Sequence, residues 1–135
     1  FTTGGSIHIH IPKTGLKDAD RRLEGIAERN PLRALIAATY LLEMKDALRE
    51  TERVLKPGGH VVLVAANNRV CGADFHTQRY LQTYLENMGL VVRLRVVDAI
   101  KSRGLMTRRN TTAGIIAREW ALLFQKPAES RRCPT

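Results

Sequence analysis

The stretch that decides the fold reads Glu50-Thr51-Glu52-Arg53-Val54-Leu55-Lys56-Pro57-Gly58-Gly59-His60-Val61-Val62-Leu63-Val64. Within it, Lys56-Pro57-Gly58-Gly59 ends a helix, because proline cannot continue a helix and glycine readily adopts the left-handed turn that follows. Its second part is apolar at successive positions, which is typical of a central parallel strand that is covered by helices on both faces. We therefore expect a helix, a sharp stop and a buried strand over residues 60–66.

The preceding helix has a clear beginning. Asn30 suits the N-cap and Pro31 suits the first helical turn. Apolar residues then recur at helical spacing at Leu41, Met44, Leu48 and Leu55. Before this helix, residues 16–29 have the pattern of a short helix, and the alternation Ile7–Ile11 predicts a short strand.

The following segments continue an α/β arrangement. We predict a helix over residues 75–88, a strand over 90–100, a loop over 101–114 and a last strand over 115–125. The strand-helix-strand unit from residue 60 to residue 100 is long enough for a parallel crossover. The last two strands are joined without a crossover helix, so we expect them to be antiparallel. The predicted fold class is thus α/β, with parallel strands, helices and a C-terminal antiparallel strand pair.

Composition restricts the functional classes. The chain has 135 residues, 44% of them hydrophobic, which suits one folded domain. Its formal net charge is +9, and a basic excess of this size favours a polyanionic partner such as nucleic acid. The longest apolar run, Val61 to Ala66, is far shorter than the roughly 18 residues of a membrane span, so we expect no membrane partner.

The cysteine and histidine positions argue against a metal site. Cys71 and Cys133 form no CxxC motif, and His8 and His10 are too few ligands for zinc. A reduced thiol pair and the absence of a signal peptide at residues 1–5 predict a cytoplasmic location. The first residue, Phe1, is not an initiator methionine, which suggests a processed chain or a fragment.

The junction at residues 50–64 resembles the helix-to-strand junction of class I S-adenosylmethionine-dependent methyltransferases. The stretch Ser102–Asn110, followed by Arg118–Phe124, is similar to the C-terminal part of bacterial and archaeal DNA modification methylases of the amino-group type. The resemblance covers residues 31–127 and implies the C-terminal half of a Rossmann-like methyltransferase domain. Residues 1–30 stay unassigned, and residues 128–135 are expected to form a flexible tail.

Two motifs of such enzymes are absent from this sequence. It contains no Gly-x-Gly for the cofactor loop and no Pro-Pro for the motif that holds the target amine. The resemblance therefore implies S-adenosylmethionine as the cofactor of the complete enzyme, but no cofactor for this chain alone and no catalytic residue within it. The expected partners are DNA and either a missing N-terminal half or a second copy, held through an open edge of the strand at residues 60–66.

Two groups of residues are candidate binding sites. The first is a basic loop without acidic residues between Lys101 and Gly114, and arginine in such a loop suits phosphate because its planar fork can donate two hydrogen bonds. Its candidate DNA-binding residues are Lys101, Arg103, Thr107, Arg108, Arg109 and Asn110. The second group follows the buried strand, at the edge where open α/β sheets bind ligands. Its members, Asn67, Asn68 and Arg69, are a candidate rim for a target-base pocket, and they equally suit an ordinary turn.

Three functions remain open from the sequence. The first is part of a methylase that transfers a methyl group from S-adenosylmethionine to a base amine of DNA. The second is a non-enzymatic basic module that binds nucleic acid. The third is a fragment of an RNA or small-molecule methyltransferase, since a fold does not fix a substrate.

Overall fold

The computed structural model describes residues 9–99 and 118–128. Within these ranges the elements, in chain order, are α1 (Lys17–Arg29), α2 (Pro31–Val54), β1 (His60–Ala66), β2 (Asn68–Val70), β3 (Ala73–Phe75), α3 (Thr77–Asn87), β4 (Val91–Ala99) and β5 (Arg118–Gln125). The predicted helix, stop and strand around residues 50–64 are confirmed as α2, the turn at residues 55–59, and β1. None of the helices in the described ranges is both long and apolar enough to cross a bilayer.

Helix α2 is fixed at both ends by side chains. At its start, the side-chain oxygen of Asn30 accepts a hydrogen bond from the backbone N–H of Arg33 at 3.2 Å, as the N-cap prediction requires. At its end, Lys126 Nζ donates to the carbonyls of Glu52 and Leu55 at 2.8 and 2.9 Å. A lysine there satisfies carbonyls that have no partner inside the helix. This contact also ties the end of β5 to the end of α2.

The glycine turn after α2 is held against the same strand end. Gly58 has a φ of +80°, and its N–H donates to the carbonyl of Lys126 at 2.8 Å. The N–H of Lys126 in turn donates to the carbonyl of Gly59 at 2.9 Å. Glycine is favoured in the left-handed conformation at position 58, because it has no Cβ that would clash with the backbone there.

Strand order corrects the prediction of parallel pairing. The main sheet has the order β1-β5-β4, and β5 pairs antiparallel with both neighbours. Strands β1 and β4 therefore point the same way, but they are not hydrogen-bonded to each other. The connection through α3 places β4 one strand away from β1, and β5 returns into the gap. The predicted C-terminal antiparallel pair is confirmed, whereas the described residues contain no parallel pair.

Two smaller expectations also need correction. The helix predicted over residues 75–88 begins only at Thr77, because Phe75 ends β3, and β2 and β3 make a short antiparallel hairpin before α3. Ile9 to Ile11 are not in a strand, and Ile7 and His8 lie outside the described residues. Helix α1, in the unassigned N-terminal region, buries Leu23 and Ile26 in the same core as α2 and α3.

The core lies on one face of the main sheet, which we call the inner face. Leu122 and Phe124 of β5 are fully buried there, among buried side chains from all three helices. The other inner-face residues, partly buried against this core, are Val61, Leu63, Ala65, Val92 and Trp120. Trp120 thus lies on the same face as Leu122 and Phe124.

The opposite side of the sheet, the outer face, is not covered by any described element. Val62 and Val64 of β1 are 65% and 60% exposed. The expectation that both faces of this strand are buried is therefore wrong for the described residues. A strand with apolar residues on both faces can be covered on one face or on both. The sequence alone does not distinguish these two cases.

Candidate functional site

The first candidate site lies at the carboxyl end of β1. Asn67 connects β1 to the β2–β3 hairpin, whose two turn residues, Cys71 and Gly72, have φ values of +51° and +77°. Two successive positive φ values are typical of a type I′ hairpin turn. The predicted rim residues Asn67, Asn68 and Arg69 therefore lie at the base and along the first strand of a hairpin.

Two of the three predicted rim residues have partners inside this hairpin region. Arg69 lies opposite Asp74, and its Nε donates to Asp74 Oδ1 at 3.2 Å. Asn68 Nδ2 donates to Thr77 Oγ1 at 3.3 Å, which links the hairpin to the first turn of α3. These contacts give Asn68 and Arg69 a structural role, in agreement with the turn interpretation.

Asn67 is different. Its side-chain oxygen is buried and has no hydrogen-bond donor among the described residues. The same is true of the side-chain oxygen of Gln78, a residue in the first turn of α3 that is only 5% exposed. A buried acceptor without a donor costs about 1–3 kcal/mol. No described residue therefore satisfies either of these two amide oxygens.

Polar contacts anchor both the hairpin and α3 to α1. Arg22 Nη1 donates to the carbonyl of Asp74 at 2.9 Å, and Tyr80 OH donates to Asp18 Oδ2 at 2.7 Å. The hydrogen bond from Tyr80, together with nearby Arg22, lowers the pKa of Asp18. Burial, with the Asp18 carboxylate second, raises the pKa of Tyr80 well above its usual range. The phenol thus stays protonated near neutral pH and acts as a structural donor.

The second candidate site, the basic loop, lies outside the described residues. Its predicted members Lys101, Arg103, Thr107, Arg108, Arg109 and Asn110 therefore remain predictions. The positions of its two neighbouring strand ends are described: Ala99 of β4 lies opposite Arg118 of β5. Glu119, the next residue of β5, lies opposite both Ala66 and Asp98. The segment that contains the loop thus leaves and re-enters the sheet at the end where β1 leads into Asn67.

Among the residues that the structure describes, cysteine and histidine side chains form no candidate metal centre. Cys71 is a free thiol in the hairpin turn, and Cys133 and His8 lie outside the described residues. In residues 9–99 and 118–128 no group of three or more histidine, cysteine, aspartate or glutamate side chains is arranged to hold a metal ion.

No protein-family model matches the sequence, and no curated protein matches it. Among solved structures, the fold is similar to that of a candidate DNA modification methylase from Thermus thermophilus in complex with S-adenosyl-L-methionine. The TM-score is 0.50 at 22% sequence identity, over 77% of this chain and 42% of that protein. The selenomethionine form of that protein gives a TM-score of 0.43 at 20% identity, over 90% of this chain and 43% of that protein.

At this level of identity the likeness concerns the fold. This chain spans less than half the length of the solved protein that it matches. The antiparallel three-stranded sheet in the order β1-β5-β4, with helices packed on its inner face, is thus similar in fold to part of that protein.

Proposed function

We propose that this chain is part of an S-adenosylmethionine-dependent DNA methyltransferase that transfers a methyl group to a base amine. The observation that carries the proposal is the likeness of fold to a candidate DNA modification methylase complexed with S-adenosyl-L-methionine. The sequence similarity of residues 102–110 and 118–124 to amino-group DNA methylases supports the choice of DNA. The net charge of +9 agrees with a polyanionic partner.

The cofactor and catalytic groups are assigned to polypeptide outside these 135 residues. The sequence has neither Gly-x-Gly nor Pro-Pro, so it lacks the glycine loop and the motif that holds the target amine. S-adenosylmethionine supplies the methyl group in the complete enzyme. The role left for this chain is to hold DNA next to that centre.

Within the chain, we assign DNA contact to one end of the sheet. The segment after Ala99 and before Arg118 carries the basic loop, and these two residues lie at the same sheet end as Ala66. Arginines of the loop are assigned to phosphates, which position a duplex without reading its sequence. Asn67 follows Ala66 at this sheet end, and we assign it a place near a base turned out of the duplex.

The first prediction tests this assignment. Replacing Arg108 and Arg109 together with alanine should weaken binding to duplexes of unrelated sequence by similar factors, because phosphate contacts carry no sequence information. The slope of log affinity against log salt concentration should flatten by about 1.8, which is two contacts at roughly 0.9 each. Fluorescence anisotropy at several salt concentrations measures both quantities.

The matched control is the double replacement of Arg49 and Arg53 with alanine. It removes the same charge from the exposed side of α2, where these arginines pair with Asp46 and Glu50. The control should leave most of the salt slope intact. Equal slopes for the two double variants, with folding verified by circular dichroism, would remove the loop from the DNA interface.

The second prediction concerns the cofactor. The 135-residue chain should bind S-adenosylmethionine weakly or not at all in calorimetry, because it lacks the glycine loop. ATP is the control ligand, since a chain of charge +9 attracts polyphosphate without a specific site. Tight one-to-one binding of S-adenosylmethionine would contradict the assignment of the cofactor site to other polypeptide.

A second candidate function is a non-enzymatic module that binds nucleic acid. The absence of both methylase motifs from the sequence favours it. Both functions predict the same effect of the arginine replacements on DNA binding, so only a measurement of methyl transfer can distinguish them. The decisive assay is transfer of a labelled methyl group to duplex DNA by the product of the complete native reading frame.

A further inference from the structure

The β2–β3 hairpin lies at the end of the sheet to which the basic loop is attached. Strand β1 ends at Ala66, and Asn67 leads directly into the hairpin. Ala66 lies opposite Glu119 near the start of β5, and β4 ends at Ala99 beside the same part of β5. The hairpin and the basic loop therefore leave the sheet at the same end, and ligands of open α/β sheets bind at the carboxyl ends of strands such as β1 and β4.

The hairpin is held in place by its buried side and by its main chain. Phe75 is 2% exposed and packs edge-to-face against Tyr80 of α3, with the ring centroids 5.0 Å apart. Arg22 of α1 donates to the backbone carbonyl of Asp74 at 2.9 Å. These contacts fix the position of the hairpin without the help of its exposed side chains.

The exposed side of the hairpin carries the ion pair between Arg69 and Asp74. The two residues are cross-strand partners, and Arg69 Nε donates to Asp74 Oδ1 at 3.2 Å. Their side chains are 63% and 64% exposed. An exposed pair of this kind contributes little to stability, because water screens both charges and the side chains lose freedom. The guanidinium of Arg69 can therefore be transferred from Asp74 to another anion at little cost.

A phosphate of DNA is the anion that suits this position. A duplex held by the basic loop brings phosphates to this end of the sheet, and the planar fork of an arginine can donate two hydrogen bonds to one phosphate. Arg22 is less suitable, because its guanidinium already contacts the carboxylate of Asp18 as well as the carbonyl of Asp74. Its side chain is also less exposed, at 36%.

We propose that Arg69 is a second DNA contact of this chain, and that it exchanges the carboxylate of Asp74 for a phosphate when a duplex binds. This inference rests on the proposed DNA-binding function and adds the hairpin to the interface. In the free protein, Asp74 holds the arginine in place on the hairpin. In the complex, the contact positions the duplex without reading its sequence.

The first experiment measures the affinity of the 135-residue chain for duplex DNA by fluorescence anisotropy at several salt concentrations. Arg69→Ala should flatten the slope of log affinity against log salt concentration by about 0.9, which corresponds to one phosphate contact. The matched control is Arg49→Ala. Arg49 is also 63% exposed and pairs with Asp46, but it lies on α2, which leads into the opposite end of β1. The control should change the slope much less.

The exchange itself is tested by Asp74→Asn. This variant removes the competing carboxylate but keeps the backbone carbonyl that Arg22 contacts, so binding to duplex DNA should tighten by roughly two- to fivefold. The gain should be lost in the Arg69→Ala background, because the carboxylate acts through Arg69. Asp46→Asn removes the same charge from α2 and should give a smaller gain, equal with and without Arg69.

The two hairpin variants also separate a DNA contact from a structural role. Both break the same ion pair, so a merely structural pair would make Arg69→Ala and Asp74→Asn weaken binding alike, and that result would overturn the proposal. Equal slopes for Arg69→Ala and Arg49→Ala would overturn it too. If the Arg108/Arg109 double variant flattens the slope and Arg69→Ala does not, the hairpin contact alone fails. A wild-type chain without affinity for duplex DNA would contradict the proposed function as well.

Discussion

Replacing Leu122 with alanine should lower the free energy of unfolding by about 4 kcal/mol, because Leu122 is fully buried and the cavity left behind cannot collapse. Leu122 is 0% exposed on the central strand β5. It lies between Leu63 of β1 and Arg95 of β4, on the inner face that meets the helices. Neighbouring strands on both sides hold its surroundings in place, so little relaxation is available to fill the space.

The neighbouring leucine is the matched control. Leu123 points to the outer face, where it lies between Val62 and Leu94 and is only partly buried. Its replacement with alanine removes the same atoms but leaves no enclosed cavity, so we expect a loss of about 1 kcal/mol. Urea denaturation at one low protein concentration measures both values. Equal losses for the two leucines would show that the inner face is not the core.

The sequence predicts the elements of this fold better than their arrangement. Asn30, Pro31 and the residues 57–59 act through local backbone chemistry, and that chemistry sets the start of α2, its end and the start of β1. Strand order depends on which strands pair after the chain has collapsed. Hydrophobic periodicity contains no information about this, so the insertion of β5 between β1 and β4 could not be predicted.

The small hairpin is not predicted because its signal in the sequence is weak. Strands β2 and β3 have three residues each, which is too short for an alternating pattern to stand out. Their turn, Cys71-Gly72, places a cysteine where asparagine or aspartate is more usual. The effect on the candidate site is direct, since the hairpin supplies Asp74 as the partner of Arg69 and brings Asn68 next to Thr77 of α3.

Gln78 could have been found from spacing alone. It precedes Leu81 by three residues and Leu85 by seven, so it lies on the buried face of α3. A polar residue at such a position needs a hydrogen-bond partner or a ligand. A search for polar residues at the carboxyl ends of strands does not find Gln78, because Gln78 lies in the helix that follows the hairpin.

The second large effect concerns a polar anchor at the N-terminal side of the fold. Thr14 is 1% exposed, and both its backbone N–H and its hydroxyl donate to Asp20 Oδ1 at 2.8 Å. Its carbonyl accepts a hydrogen bond from Tyr84 OH at 2.8 Å. One buried residue thus links α1 to α3.

Replacing Asp20 with alanine should lower the free energy of unfolding by about 3 kcal/mol. It leaves the N–H and the hydroxyl of buried Thr14 without their acceptor, and a hydrogen bond to a charged group contributes about 1.5–3 kcal/mol. Asp20→Asn keeps an oxygen acceptor but loses the charge, so its loss should be about half as large. The control is Asp46→Ala, which removes only an exposed 3.6 Å ion pair with Arg49 and should cost less than about 0.5 kcal/mol. Urea denaturation of the three variants ranks them, and an Asp20→Ala loss no larger than that of Asp46→Ala would show that Thr14 does not anchor α1 through this carboxylate.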